Sequence, residues 1–417
     1  MRMSRKLLAS VLFLTSLPLS APAVAAEIPA TFSLRGSGYG HGVGMSQMGA
    51  RSMALAGQTP ASILQYFYKD VAIEQLDDSQ LLRVNIGHLL TSTNISTKTN
   101  GAVVALFDGD IGDQVDAVPI AVFSNKASLN LSLLGASIVP TVSVGKKTQP
   151  FSKGRSFTIR WSGTRYLDGI DSLISVTQLG ATRKYRYGQM QVRTVKNALQ
   201  GYRIELTNSV RLSDEYLWGV SEMPSSWPIA ALQAQAIASR SYALSKAGNK
   251  RSACDCALYG SISDQSFLGH SKEIERKYGA LWKQAVTDTA GLTITQEGRP
   301  ITAYFFSSSG GKTELAINAW GSAKAYTQIV DDPGSLDLAL NPRFVLWDRI
   351  LSQSVVAASF LLPDVATLEI ISKNESGTVA QIRATSSTGL QFTLRGETFR
   401  SRTKIPSAWF DLISVQN

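Results

Sequence analysis

Four stretches of this sequence hold residue types that can do chemistry. Glu222 lies in "VSEMPSSWPIA", His41 and Gln47 in "GSGYGHGVGMSQMGA", Ser307, Ser308 and Ser309 in "YFFSSSGGKT", and Cys254 and Cys256 in "CDC". Glu222 stands among Trp218, Met223 and Trp227, immediately before a proline and a helix start. Apolar neighbours disfavour an ionised carboxylate and raise its pKa, as a general acid requires. The helix N-terminus acts the other way, because its partial positive charge favours the carboxylate. Local sequence leaves two roles open for Glu222, proton donor or helix-capping carboxylate.

The glycine stretch is not a phosphate cradle. No glycines fall at the spacing G-x-G-x-x-G, and where "GGKT" ends at Thr313 like a P-loop, Phe306 replaces the first glycine. His41 either joins a cleft completed by later residues or satisfies backbone groups in a tight turn that the glycines permit. The serines have no G-x-S-x-G elbow, and the chain offers only His41, His88 and His270 as imidazole bases. Two cysteines cannot frame a chain of 417 residues. With His270 they supply zinc at most three protein ligands. A Cys254–Cys256 bridge would close a small ring, so a weak zinc site or free thiols are the expectation.

The elements that position these residues divide the chain. Residues 1–26 read as a secretory signal peptide: Arg2, Arg5 and Lys6, then "LLASVLFLTSLPLS", then small residues ending at Ala26. No later run reaches 18 apolar residues, so no membrane span is expected after cleavage. In residues 27–80 a short strand enters the glycine loop and two helices follow, the first stopped near Gly57 and the second started at Pro60. Residues 81–207 alternate in "LLRVNIG", "RSFTIRWSG" and "YRYGQMQVR", a β-rich subdomain. Residues 208–417 open with "WPIAALQAQAIASRSYALSKAG", a helix with Pro228 at its start and small residues that let neighbours approach closely. The fold class is α+β, mixed helices and antiparallel sheet with the β-rich subdomain inserted.

The hydrophobic fraction of 44% and charged fraction of 17% belong to a folded chain. Its net charge of +10 stays positive when the three basic residues of the leader are removed. A basic exported protein meets extracellular polyanions such as those of a cell wall. Nucleic acid is not expected, because no basic run carries interleaved aromatics.

Three motifs give this chain a family resemblance. "LSDEYLWGVSEMPSSWPIAALQAQAIASRSYAL" resembles the defining motif of the SpoIID/LytB family of cell-wall proteins. "ITAYFFSSSGGKTELAINAW" is similar to the family's second motif, and "GSGYGHGVGMSQMGARSMALAGQTPASILQYFY" to its third. Here the glycine motif comes first, whereas in most members it follows the other two. Circular permutation explains the order and makes "ATFSLRGSGYGHG" a strand neighbour of "RSRTKIPSAWFDLISV". The resemblance implies a lytic transglycosylase acting on peptidoglycan glycan strands, with Glu222 as catalytic acid and Glu215 structural. One carboxylate then suffices, because the sugar's own 6-hydroxyl attacks in place of water.

The same resemblance makes Tyr216, Gln235, Arg240 and Tyr242 substrate-binding candidates, together with His41, Gln47, Tyr304, Ser307, Ser308, Ser309 and Thr313. Arg240 lies about 18 Å down an ideal helix from Pro228, away from Glu222. Some members bind zinc before the segment that reads "DQSF" here; Gly260 and Asp264 stand where cysteines often occur, which leaves Cys254, Cys256 and His270 as the metal candidates. The transglycosylase chemistry itself requires no cofactor. The family also includes non-enzymatic enhancers of a cell-wall amidase, so a glycan-binding enhancer with an amidase as partner is the alternative. A wall-anchored structural module is the third reading.

Overall fold

The structure, a computed structural model, describes residues 28–416; the expected signal peptide lies outside them. The chain is α+β. Its larger core joins the inserted β-rich subdomain to the helices that carry the second half of the site. Strand Leu81–Leu90 alternates as its sequence requires, burying Leu82, Val84 and Ile86. It enters a seven-stranded sheet ordered Leu258–Tyr259, Leu81–Leu90, Gly201–Arg211, Gln189–Asn197, Ser156–Trp161, Val103–Asp108 and Ala121–Ser124. A six-stranded sheet from residues 92–185 contributes Ile95, Leu129 and Val176 to the same core as Leu106, Ile159 and Trp161. Leu258–Tyr259 pairs parallel to Leu81–Leu90, tying the segment after the cysteines to the inserted subdomain.

Strand Gly201–Arg211 delivers the chain to a wide helical turn at Leu212–Tyr216 and then to the loop holding Glu222. Helix Ile229–Ala247 follows, with Pro228 as its N-cap and Gly248 as its C-cap. Its alanines let it run through the interior, packed on helices Gln47–Leu55, Pro60–Phe67 and Gly279–Asp288 and on strand Leu292–Gln296. The caps of the two early helices match their sequence signals. Ser46 Oγ accepts from Gly49 N–H, Thr59 Oγ1 accepts from Ser62 N–H ahead of Pro60, and Gly57 takes φ 82° just past the first helix.

A second core gathers Phe32, Leu34, Trp347, Phe360, Ile382, Phe399 and Phe410. Strand Thr31–Gly36 lies at its centre, antiparallel to Trp347–Ser352 on one side and to Phe410–Gln416 on the other. Phe32 faces Val415 and Leu34 faces Leu412, so Thr31 sits opposite Gln416. This is the strand pairing that the motif order calls for.

Between the two cores runs the glycine loop. Gly38, Gly40, Gly42 and Gly44 all have positive φ, and the loop is threaded against residues 304–314 on one side and Pro406–Ser407 on the other. At Gly44, φ is +80°, and a Cβ would stand 2.0 Å from the Tyr304 carbonyl oxygen. Gly44→Ala is therefore expected to destabilise the fold by roughly 2 kcal/mol or more, read by urea unfolding.

Candidate functional site

Glu222 sits in the loop between Leu217–Gly219 and helix Ile229–Ala247. A backbone strip and a side chain hold this loop. Ser221 N–H donates to the Ser266 carbonyl (2.8 Å), Ser266 N–H donates to Glu222 Oε1 (2.5 Å), and Val220 bridges Phe267. From the other side Gln47 Nε2 donates to the Glu222 carbonyl (3.1 Å) and to Gln235 Oε1 (3.1 Å). Gln47 thus locks the start of its own helix to the site loop, and Gln235, buried in the long helix, locks Gln47.

Burial raises the Glu222 carboxyl to about 7, against the opposing pull of the Ser266 N–H and the Lys272 charge. Lys272 is itself buried, donating to the Met223 carbonyl (2.6 Å) and pairing with Glu275 (2.6 Å). The neighbouring tryptophans are engaged elsewhere. Trp218 carries the Lys283 ammonium over its ring, and Trp227 lies under Arg51. A carboxyl group with a pKa near neutrality that is held by one N–H can give a proton and take it back.

His41 occupies another place. Its Nδ1 accepts from Val43 N–H (3.0 Å), and its ring packs on Tyr304, Phe306 and Trp320. Burial, helped by the Arg400 charge, pushes its pKa down to about 3, while a hydrogen bond with the Phe305 backbone opposes this. It is a neutral ring that clamps the glycine loop by accepting from the Val43 N–H.

Several other candidates have polar atoms engaged inside the protein. Arg240 is fully buried, its guanidinium donating to Asp78 Oδ2 (2.7 Å) and to the Leu292 and Val286 carbonyls. Tyr216 is fully buried, donating to Gln265 Oε1 (2.7 Å) and stacking on Phe267. Tyr242 donates to Asp264 Oδ1 (2.8 Å). Ser309 Oγ donates to Asp332 Oδ2 (2.7 Å), Thr313 Oγ1 donates to the Gln328 carbonyl (2.7 Å), and Ser308 is buried with its backbone paired to Tyr39 and its Oγ without a hydrogen-bond partner among the described residues. Tyr304 and Ser307 remain half-buried; the Ser307 carbonyl accepts from Met48 N–H. Glu215 is structural, accepting from Arg211 N–H and pairing with Arg165.

The metal candidates do not assemble. Cys254 and Cys256 form a disulfide, with Asp255 between them at φ 52° bringing their Cα atoms to 5.1 Å. Disulfide sulfurs offer no thiolate to zinc. His270 Nδ1 lies 3.4 Å from Glu273 Oε1, and among the described residues no cluster of His, Cys, Asp and Glu is arranged to hold a metal ion. Asp255 is buried against Arg83, Arg193 and Lys250, so this turn is an electrostatic staple.

Comparison with known proteins matches this loop and its helix. The family model for the stage II sporulation protein, SpoIID, covers residues 200–296. This segment is similar to the SpoIID/LytB family. The chain is 35% identical over 133 residues to the stage II sporulation protein D of Bacillus subtilis (strain 168), covering 29% of this chain and 38% of that protein. It is 29% identical over 189 residues to the stage II sporulation protein D of Bacillus amyloliquefaciens, covering 41% and 49%. It is 32% identical over 106 residues to the amidase enhancer of Bacillus subtilis (strain 168), covering 25% and 13%. The chain thus spans half or less of each of these relatives. Two groups beside the Glu222 loop, Ser266 and Lys272, escaped the sequence reading. Ser266 lay in the noted "DQSF" segment, whereas Lys272 has no local signature, because a long-range turn brings it to the loop.

Proposed function

We propose that this protein is a secreted cell-wall enzyme, a lytic transglycosylase that cleaves glycan strands between N-acetylmuramic acid and N-acetylglucosamine. The observation that carries the reading is Glu222, a carboxyl raised to about 7 by burial and held at a helix entrance by Ser266. Its proton goes to the glycosidic oxygen as that bond breaks. The muramic 6-hydroxyl closes on C1, and its proton passes to the Glu222 carboxylate, restoring the acid. Gln47 and Gln235 position the loop, while half-buried Tyr304 and Ser307 are candidates for contact with sugar. The net charge of +10 suits a wall rich in anions. Among the described residues no helix is long and apolar enough to cross a membrane.

The test is digestion of purified glycan strands, with and without stem peptides, followed by mass analysis of the ends. Anhydro-muramic ends support the proposal. Reducing ends mean that water attacks, which calls for a second carboxylate. The likeness to an amidase enhancer favours a second reading, a glycan-binding partner of a wall amidase. Absence of product on both substrates, with stimulation of an amidase, selects it.

A further inference from the structure

Trp320 closes the short helix Ala316–Trp320 and is 39% exposed. Part of its indole rests on His41 and Tyr304, with ring centroids 4.9 and 4.7 Å away. It lines an open groove of about 360 Å³ between this helix and helix Gly396–Thr403. The other wall carries Arg395, Glu397, Thr398, Ser401 and Arg402. These residues lie outside the segment 200–296 and have no part in the chemistry proposed for Glu222.

The groove is cationic. Glu397, the carboxylate on its wall, is taken by Arg400 Nε (2.8 Å). Arg402 is exposed, and its Nη1 donates to the Ser359 carbonyl (2.6 Å). Arg395 is exposed and has neither an ion pair nor a side-chain hydrogen bond among the described residues. Its guanidinium lies against Gly321, the residue after Trp320, where a Cβ would stand 2.2 Å from Arg395 Nη1. Gly321 takes φ 77° as the helix C-cap, which glycine does without steric cost. An unpaired guanidinium fork is thereby seated beside an exposed indole.

This pair matches a ring with an apolar face and an acid at its edge. A pyranose supplies the first, because its axial C–H bonds form a face that shields aromatic surface from water. A carboxylate supplies the second, because the guanidinium fork donates to both of its oxygens at once. We infer that this groove binds a carboxylate-bearing sugar residue, its ring on Trp320, its carboxylate on Arg395 and its hydroxyls facing Thr398 and Ser401. The volume is at the low end for small-molecule sites, so one residue occupies it at a time. In a wall that residue is N-acetylmuramic acid with its lactyl carboxylate free of peptide; a uronic acid presents the same chemistry. The first source rests on the wall reading, whereas the acidic-sugar site itself does not.

Saturation-transfer NMR titration of the whole protein with N-acetylmuramic acid, N-acetylglucosamine, glucuronic acid and lactate reads the site without any cleavage. The two acidic sugars are expected to bind more tightly than N-acetylglucosamine, and lactate alone not to saturate. Arg395→Gln has no internal partner to lose, so the fold should hold while affinity for the acidic sugars falls roughly fivefold or more, to that of the neutral sugar. Trp320→Ala should weaken all three sugars; circular dichroism checks its fold, because Trp320 also packs on His41. No saturable binding, or equal affinity for acidic and neutral sugars, overturns the proposal. So does unchanged affinity in the folded Arg395→Gln protein, which assigns the sugar to another site. Tighter binding of N-acetylmuramic acid than of glucuronic acid identifies the strand sugar; the reverse order identifies a uronic acid polymer. Failure of glycan cleavage with acidic-sugar binding intact removes the transglycosylase reading alone. Cleavage without Arg395-dependent binding removes this site alone.

Discussion

Glu222→Gln is expected to leave glycan binding intact and to lower cleavage by roughly 100-fold or more. Glutamine keeps the side-chain shape and can still accept from Ser266 N–H, but it has no transferable proton. The pH profile of the unmodified protein carries the same signature. Burial raises the carboxyl to about 7, so the acid form persists at neutral pH and is lost above it. Activity is expected to decline with an apparent pKa near 7 on the alkaline side, and the residual activity of the glutamine variant should lack that limb. Stability falls in the same direction. Because folding raises this pKa, ionised Glu222 costs the native state free energy as pH climbs from its unfolded value through 7. The glutamine variant should therefore melt no lower than the parent at pH 8–9. Full activity in the variant, or a profile flat through pH 7, would sink the assignment.

Arg240→Met is expected to destabilise the protein by about 3 kcal/mol or more. The guanidinium is fully buried and serves Asp78, Leu292 and Val286 at once, so methionine fills the space but strands a carboxylate and two carbonyls. Removing Asp78 as well, in Asp78→Leu with Arg240→Met, should recover part of the loss, because both ends of the pair then go together. Urea unfolding measures the energies. Glycan titration of the folded fraction separates this role from substrate contact: an unchanged Kd is expected, and a large loss of affinity without loss of stability would return Arg240 to the site.

The features legible in the sequence are those set within a few residues of each other. The helix stop at Gly57 and start at Pro60, the alternation that makes residues 81–207 a β body, and the loop and helix around Glu222 all depend on short-range geometry. Motif order reached further, predicting that the Phe32 strand lies beside the strand starting at Phe410. Burial was not legible. Tyr216, Arg240 and Thr313 have the residue types of a binding site, yet packing turned each inward and spent its polar atoms on internal partners. The cysteines went the same way, into a disulfide.

By itself, then, the sequence determined where the chemistry must lie: a single acid at a helix entrance, a glycine loop able to approach other backbone closely, and a β-rich insertion between them. Tertiary structure alone decided that Gln47, not His41, reaches the acid's loop, that Lys272 and Ser266 flank it, and that residues 31–36 complete a second core. The physical reason is that a pKa or an unmatched hydrogen bond is set by which atoms exclude water from it. Those atoms come from elements hundreds of positions apart in the chain, whose meeting no local pattern records.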